Sequence, residues 1–272
     1  MNNVLLRSLT GIVFITLIIG ALWFGFESSV IVMGIFLALG LVEFFQLFKE
    51  SKAISISTKL STTVHLCIFG ICILSVKEIL PEGTSIVLIS PILFLLFLTE
   101  LWRKKENPML NIGIMGFGFF YLVIPFYLII LLNIKSNHEN PIAIGMFLLI
   151  WTNDVFAYLM GRLVGKTKLF ERISPKKTME GTIGGILFTI LVGYLISLYT
   201  PQYSTVFWII SALIIAPCAI FGDLLESLFK RSLNIKDSGT ILPGHGGILD
   251  RFDATLFAVP FFYCWLMIYS YF

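Results

Sequence analysis

Nine apolar runs, each close to the length of a membrane-spanning helix, are the feature that most limits how this chain of 272 residues can fold. They cover approximately residues 4–26, 29–48, 61–80, 85–102, 112–133, 141–160, 180–199, 204–222 and 253–272. A helix needs about 20 apolar residues to cross the hydrocarbon core of a bilayer. Because 57% of the residues are hydrophobic and only 13% are charged, an ordinary soluble globule is excluded. The sequence therefore predicts an all-α, polytopic integral membrane protein with about nine transmembrane helices.

The distribution of positive charge predicts which helix ends face the cytoplasm. If nine helices cross the membrane, the N-terminus and the loops after the second, fourth, sixth and eighth helices share one side. Of the 19 Lys and Arg residues, 17 fall on that side, and only Lys77 and Lys135 fall on the other. Because cytoplasmic loops carry the excess of Lys and Arg, we expect a cytoplasmic N-terminus. The two longest polar loops, 161–179 and 223–252, then share the cytoplasmic face and can form one site.

The densest group of polar residues is the stretch from Ser227 to Asp253, which reads SLFKRSLNIKDSGTILPGHGGILDRFD. It contains the cations Lys230, Arg231, Lys236 and Arg251, the carboxylates Asp237, Asp250 and Asp253, and the glycines Gly244, Gly246 and Gly247 around His245. Cations bind phosphate oxygens, carboxylates bind divalent metals, and glycines leave backbone N–H groups open to a phosphate. The stretch predicts phosphate chemistry at a membrane surface, although most glycine-rich turns are only turns and helix capping also explains Asp253.

Residues upstream of this stretch point in the same direction. Asp154 lies inside an apolar run, where an ionised carboxylate is costly without a partner. Lys176 and Lys177 precede a predicted helix and fit an anion site, although the positive-inside rule alone also explains them. Spacings of three and four residues place a further set on one face of the eighth helix: Asp223, Glu226, Ser227 and Lys230. A surface salt-bridge ladder is the simpler interpretation of that face, but it does not explain why the face leads directly into the glycine-rich stretch.

The first 140 residues contain fewer candidates. Glu43, Glu50 and Glu100 fall at or near predicted helix ends, where a solvated carboxylate needs no special role. His65 stands among apolar neighbours and is interpreted as a packing residue, since a metal site needs several converging ligands. We therefore divide the chain into N-terminal helices, residues 1–140, that act as a scaffold for lipid and dimer contacts, and residues 141–272, which carry the chemistry on loops 161–179 and 223–252.

Position by position, the polar stretch resembles the signature of the phosphatidate cytidylyltransferases, also called CDP-diacylglycerol synthases. The matching residues are Ser227, Lys230, Arg231, Lys236, Asp237, Gly239, Leu242, Pro243, His245, Gly246, Gly247, Asp250, Arg251 and Asp253. A second block, from Asp154 to Gly165 and then SPKKTMEG at 174–181, is also similar to that family. The first 140 residues match only as hydrophobic helices of the expected kind.

The resemblance implies a reaction in which CTP and phosphatidate give CDP-diacylglycerol and pyrophosphate, as a step of phospholipid biosynthesis. It implies Mg²⁺ as cofactor, a homodimer in contact with membrane lipids, and no nucleic-acid partner. We expect a multi-pass protein of a bacterial cell membrane with its active site on the cytoplasmic face. The attacking group would be the lipid phosphate, which is already anionic near neutral pH, so that positioning and charge neutralisation replace strong base catalysis.

The same resemblance implies roles for individual residues. The expected metal ligands are Asp223 and Asp250, with Asp154 as a further candidate. The residues expected to bind phosphate groups or substrate are Lys176, Lys177, Ser227, Lys230, Arg231, Lys236 and Arg251, together with backbone N–H groups of Gly244, Gly246 and Gly247. His245 is expected to orient a phosphate or the pyrophosphate leaving group. Asp223, Asp250, Lys230, Arg231 and His245 would form the catalytic set.

Two other classes of protein compete with this interpretation. A transporter would use Asp154 and broken helices to carry an ion or anion, but its polar residues would be distributed through the membrane and on both faces. Here the polar residues are concentrated at one border, and the loops on the other side are nearly bare. An alcohol phosphotransferase that consumes a CDP-activated lipid would resemble a DGxxAR pattern, which this sequence lacks.

Overall fold

The structure, a computed structural model, describes residues 3–48, 53–81, 83–136, 138, 141–233, 235, 238–239 and 246–271, with side chains from Ser8 onward. Nine helices form most of this part of the chain. They are α1 (Asn3–Trp23), α2 (Phe26–Leu47), α3 (Thr58–Val76), α4 (Thr84–Arg103), α5 (Pro108–Ile134), α6 (Ile142–Val164), α7 (Met179–Ser197), α8 (Thr205–Ser232) and α9 (Leu249–Tyr269). Two short strands, β1 (Lys168–Phe170) and β2 (Ser174–Thr178), pair between α6 and α7.

Eight of these helices, α2 to α9, are long and apolar enough to cross a membrane. The part of α1 whose side chains are described, Ser8–Trp23, is apolar but shorter. Many large apolar side chains are exposed, including Ile86, Phe94 and Trp102 on α4, each more than 60% accessible. Such a surface is stable against lipid and not against water. The prediction of an all-α, polytopic membrane protein is therefore confirmed.

Two details differ from the predicted elements. The apolar run was placed at 204–222 and the loop after it at 223–252, although the helical spacing of Asp223, Glu226, Ser227 and Lys230 already indicated further turns. Helix α8 continues to Ser232, so the first ten residues of that loop are helical. Its last turns are amphipathic and not apolar, which a search for apolar runs does not detect. The loop 161–179 contains the antiparallel β1–β2 hairpin. The carboxylate of Glu180 accepts hydrogen bonds from the backbone N–H groups of Lys166 and Thr167, at 3.0 and 3.1 Å, and ties this hairpin to α7.

Helix α5 contains a π-helical segment, Phe119–Val123, that ends two residues before Pro125. A proline inside a helix cannot donate to the carbonyl four residues earlier, and its ring collides with that carbonyl. A π-helical turn shifts the hydrogen-bond register and is one way to relieve this conflict. The segment places Tyr121 in the interior, where its ring stacks on Phe117 with the centroids 5.2 Å apart.

Polar contacts group the helix ends into two opposite layers. In one layer, the side-chain amide of Asn107 at the start of α5 donates to the carbonyl of Ala53 before α3, at 3.1 Å. The same layer includes the contact of Glu43 near the end of α2 with the start of α9. In the other layer, Asn133 near the end of α5 donates to the carbonyl of Gly25 between α1 and α2, at 3.1 Å. Helices α2 and α5 therefore run in opposite directions between the two layers.

Small residues allow α6 and α7 to pack closely. Gly181 and Gly185 of α7 face α6, and a Cβ atom built at Gly181 would lie only 2.6 Å from the carbonyl oxygen of Ala157. Asn153, Ala157 and Gly161 form the opposing row on α6, with a spacing of four residues. Helices without a hydrophobic driving force between them associate through such rows of small residues. Helices α6, α7, α8 and α9 pack together in this manner into the part of the bundle that contains the polar residues.

We expect Gly181→Ala to destabilise the protein, because the new methyl group would collide with the backbone of α6. Overpacking of this kind costs about 1–3 kcal/mol. The control is Gly20→Ala on α1, where a Cβ atom meets nothing within 4 Å. Thermal unfolding in detergent, followed by tryptophan fluorescence, should give a lower midpoint for the first variant alone. Equal midpoints for the two variants would contradict the close packing of α6 on α7.

The predicted topology can be tested with cysteines introduced at two exposed lysines. Lys135 follows α5 in one layer, and Lys168 lies on β1 in the opposite layer. In a variant whose four natural cysteines are replaced, a membrane-impermeant maleimide should label Lys135→Cys in intact cells. It should label Lys168→Cys only after the membrane is permeabilised. The reverse pattern would mean that the N-terminus is not cytoplasmic.

Candidate active site

Lys230 joins the last two helices where they leave the apolar bundle. Its ammonium group lies 3.1 Å from Glu226 Oε2, one turn earlier on α8, and 2.6 Å from Asp250 Oδ1 on the first turn of α9. The side chains are 12%, 3% and 9% exposed for Lys230, Glu226 and Asp250. Because an unpaired charge at this depth would be strongly destabilising, the lysine and its two carboxylates hold each other in place.

Asp250 also fixes the backbone of the polar stretch. Its Oδ2 atom accepts hydrogen bonds from the backbone N–H of Gly247 at 2.8 Å and from that of Ser238 at 3.1 Å. Gly246 has a φ angle of +80°, a conformation that favours glycine. A Cβ atom there would also lie 2.5 Å from Asp250 Oδ2. We call residues 238–247 the glycine-rich segment. Its two ends are brought together at the carboxylate of Asp250.

A second ion pair lies one to two turns earlier on α8. Lys177, the fourth residue of β2, places its ammonium group 2.6 Å from Asp223 Oδ2. The hydroxyl of Ser227 donates to Asp223 Oδ1 at 3.2 Å. Unlike Asp250, the Asp223 side chain is 37% exposed, so its carboxylate remains accessible to a ligand. The β1–β2 hairpin thus places the ammonium group of Lys177 beside the last turns of α8.

Four carboxylates of three helices lie within range of each other's charge: Asp154 of α6, Asp223 and Glu226 of α8, and Asp253 of α9. We call this group the carboxylate cluster. Asp154 is accessible and interacts electrostatically with Lys177 and Arg251. Oε1 of Glu226 is buried and has no hydrogen-bond partner among the described residues. The buried hydroxyl of Tyr121, placed by the π-helical segment, likewise has no partner among these residues and interacts electrostatically with carboxylates of the cluster.

Carboxyl groups outnumber cations in and beside the cluster among the described residues. Together with Asp250 the cluster has five carboxyl groups, against the cations Lys177, Lys230 and Arg251. No three His, Cys, Asp or Glu side chains in the described part of the chain are close enough to hold a metal ion by themselves. A cation bound here would need further oxygen atoms, beyond those of the described side chains, to complete its coordination.

The structure brings together most of the residues that the sequence singled out. Asp154, Asp223, Asp250, Lys177, Ser227, Lys230, Gly246 and Gly247 lie at or beside the cluster. Lys176 is exposed on β2, and Arg231 is exposed on α8, where it donates to the carbonyl of Ile235 at 3.3 Å. Arg251 is exposed on α9. Lys236, Gly244 and His245 lie outside the described residues.

Sequence reasoning missed one residue, Glu43. Its side chain was expected to be solvated at a helix end, but it is 2% exposed and accepts a hydrogen bond from the backbone N–H of Leu249 at 3.0 Å. Glu100, given the same interpretation, is also buried, at 5% exposure, and is paired with Arg103 and Asn111. The signal was available: both carboxylates lie inside apolar runs, the criterion that selected Asp154.

Long apolar helices, with charged residues of α6, α8, α9 and the hairpin grouped at one end of the bundle, define a polytopic membrane protein with a polar candidate site. Comparison with known families agrees with this description. The model of the cytidylyltransferase family matches residues 5–269, and the chain belongs to that family.

Individual curated relatives indicate the same family. The chain is similar to a protein named phosphatidate cytidylyltransferase from Staphylococcus saprophyticus, with 40% identity over 154 residues, which are 56% of this chain and 55% of the relative. It is 51% identical over 116 residues to a protein of the same name from Staphylococcus aureus, covering 42% of this chain and 44% of that protein. The chain thus matches about half the length of these relatives.

We expect Lys230→Met to destabilise the protein strongly, because it leaves Glu226 and Asp250 buried without their shared cation. Removing one partner of a buried ion pair costs about 3–5 kcal/mol. Adding Asp250→Asn to this variant should recover part of the loss, since one uncompensated charge disappears. Thermal unfolding in detergent measures both effects.

The matched control is Lys105→Met, at an exposed lysine that has no ion pair among the described residues. It should leave the unfolding midpoint almost unchanged. A Lys230→Met variant as stable as this control would show that the buried ion pair contributes nothing to the junction of α8 and α9.

Proposed function

We propose that the protein transfers the cytidylyl group of CTP to phosphatidate, giving CDP-diacylglycerol and pyrophosphate. The observation that carries the proposal is the pairing of Lys177 with Asp223 and of Lys230 with Asp250 beside a carboxylate cluster, in a chain of the cytidylyltransferase family. The relatives that bear the name phosphatidate cytidylyltransferase support the same reaction. The site lies at the end of a bundle of apolar helices, where a lipid headgroup and a water-soluble nucleotide can meet.

The donor set fits Mg²⁺. Carboxylate oxygens are hard ligands, and the two most accessible carboxylates of the cluster are those of Asp154 and Asp223. Mg²⁺ is usually bound by one or two carboxylates and by substrate phosphates, so the absence of a three-residue set among the described side chains agrees with such a site. When bound, the ion would neutralise negative charge that develops on the phosphates.

Asp250 would contribute mainly through position. Three donors already occupy its two oxygen atoms: the ammonium group of Lys230 and the backbone N–H groups of Gly247 and Ser238. The direct metal role expected for Asp250 from the family resemblance therefore remains a proposal, beside the two more accessible carboxylates. In either role, its charge holds Lys230 and the segment that begins α9.

The cations would bind and orient the phosphate groups. Lys177 lies beside the accessible carboxylate of Asp223. A substrate phosphate could therefore bind the same ammonium group, and Lys177 would help to orient the two substrates for in-line attack. Arg251 and Lys176 are exposed and available to further phosphate oxygens. The lipid phosphate, as attacking group, would need no strong base, so the residues act by placing charge where it develops.

The position of the site supports a cytoplasmic active site, because CTP is a cytoplasmic compound and the polar loops carry the positive charge expected of that side. A plasma-membrane location would follow from the bacterial relatives. A homodimer is part of the same proposal.

Conversion of radiolabelled CTP into a lipid-extractable product tests the reaction. Detergent-purified protein with phosphatidate and Mg²⁺ should produce labelled lipid, and removal of the metal with a chelator should stop it until Mg²⁺ is restored. We expect Asp223→Asn and Asp250→Asn each to reduce turnover about 100-fold or more, as removal of a preorganised charge in an active site does.

The controls separate catalysis from folding. Each variant should elute as the wild type does in size-exclusion chromatography and keep its helical circular dichroism. If the folded wild-type protein gives no labelled lipid with several metals and lipids, the proposed reaction is wrong. Near-normal turnover of both variants at saturating Mg²⁺ would instead leave the reaction standing and exclude these two carboxylates as its charged groups.

A further inference from the structure

Glu43 on α2 contacts the polar segment from the opposite half of the chain. Its Oε2 atom accepts the hydrogen bond from the backbone N–H of Leu249, 206 residues away, at 3.0 Å. Leu249 is the first residue of α9, and its N–H group has no acceptor within that helix. A carboxylate at this position satisfies the donor and interacts favourably with the positive end of the helix dipole.

The same carboxylate fills the space beneath both ends of the glycine-rich segment. A Cβ atom at Gly239 would lie 2.6 Å from Glu43 Oε1, and one at Gly247 would lie 2.5 Å from Glu43 Oε2. A Cβ at Gly247 would also meet the hydroxyl of Ser238 at 2.2 Å. These contacts require glycine at both positions because the carboxylate occupies the volume that a side chain would need. Glu43 therefore determines how closely the two ends of the segment approach.

Two buried polar atoms mark this contact as more than packing. Glu43 Oε1 and Ser238 Oγ are both inaccessible to solvent, and neither has a hydrogen-bond partner among the residues that the structure describes. A carboxylate without a cationic partner among the described residues is costly to bury, and an apolar side chain would fill the same space without that cost. A carboxylate at this position is explained by its contacts: it accepts the hydrogen bond from Leu249 and lies against Gly239 and Gly247.

What Glu43 holds is the position of Asp250. Leu249, whose N–H group it binds, precedes Asp250, and Gly247 and Ser238, which lie against it, donate to Asp250 Oδ2. We infer that Glu43 is a positioning residue, whose buried carboxylate sets the start of α9 and the ends of the glycine-rich segment so that Asp250 stays opposite Lys230. The inference rests on the proposed function only in taking turnover as one of its readouts.

Glu43→Ala tests the inference by removing both oxygen atoms. We expect its kcat to fall about tenfold to a hundredfold, because small displacements of a positioned group have effects of that size. The KM values for CTP and phosphatidate should change less than about threefold, because Glu43 affects the position of Asp250 and does not contact the substrates. Glu43→Gln keeps one acceptor for Leu249 and should lose less turnover than Glu43→Ala.

A second pair of variants tests the contact itself. The three atoms nearest to a Cβ at Gly239 all belong to Glu43. Gly239→Ala should therefore reduce turnover, and Glu43→Asp, which is shorter by one methylene group, should restore part of it in the double variant. Losses that simply add in the double variant would contradict a direct contact.

The matched control is Glu100→Gln, which alters another buried carboxylate with partners of its own, Arg103 and Asn111, on α4 and α5. Its kcat and KM values should remain at those of the wild type. Hydrogen–deuterium exchange gives a readout without turnover: peptides from 246–252 should exchange faster in Glu43→Ala and Glu43→Gln, and at the wild-type rate in Glu100→Gln.

The outcomes separate this inference from the proposed reaction. If the wild-type protein makes no lipid product, the reaction fails, and exchange in residues 246–252 still decides whether Glu43 holds that segment. If the wild type is active but folded Glu43→Ala matches Glu100→Gln in kcat and exchange, the positioning role is wrong. Should Glu43→Ala not fold, Glu43→Gln and the Gly239 pair decide by the same criteria.

Discussion

The buried ion pair between Lys230 and Asp250 is the interaction on which the arrangement of the polar residues depends. Apolar helices in lipid gain no hydrophobic energy from contact with one another, so their junctions need close packing or polar bonds. Where α8 and α9 meet, Gly222 allows the backbones to touch, with a Cβ only 2.5 Å from the carbonyl oxygen of Asp253, and the ion pair then fixes the relative position of the two helices. The carboxylate cluster follows from this junction, because Asp223, Glu226 and Asp253 lie on the same two helices.

The sequence predicted the bundle well because hydrophobic length is a strong signal in a membrane protein. Apolar length alone would end α8 near Gly222, while the helical spacing of the polar residues from Asp223 to Lys230 indicates the further turns that reach Ser232. The β1–β2 hairpin was missed because SPKKT contains no apolar alternation. Strand β2 is held by its pairing with β1, and the carboxylate of Glu180 at the start of α7 binds the two residues just before β1.

The members of the candidate site were easier to predict than their pairing. Residue types and helical spacing selected Asp223, Lys230 and Asp250, but spacing along α8 alone would pair Lys230 with Glu226 and leave Asp250 unassigned. Lys177 reaches Asp223 only because the hairpin turns back towards α8. Glu43 reaches Leu249 across 206 residues of sequence, and no local pattern encodes that contact. Long-range polar contacts of this kind depend on tertiary packing, which a single sequence does not reveal.

The carboxylates of the site divide into two groups with different physical roles. Asp250 and Glu43 are nearly inaccessible and accept hydrogen bonds from backbone N–H groups, so their charge serves to hold the chain. Asp154 and Asp223 are accessible, come from different helices and share the charge of Lys177, so a ligand can reach them. The buried pair, Asp250 and Glu43, can keep the accessible pair in place. The charges of Asp154 and Asp223 stay at fixed positions only if the helices that carry them cannot shift. Burying Asp250 and Glu43 costs free energy, but it fixes the helices and so keeps the accessible carboxylates in position to bind a ligand.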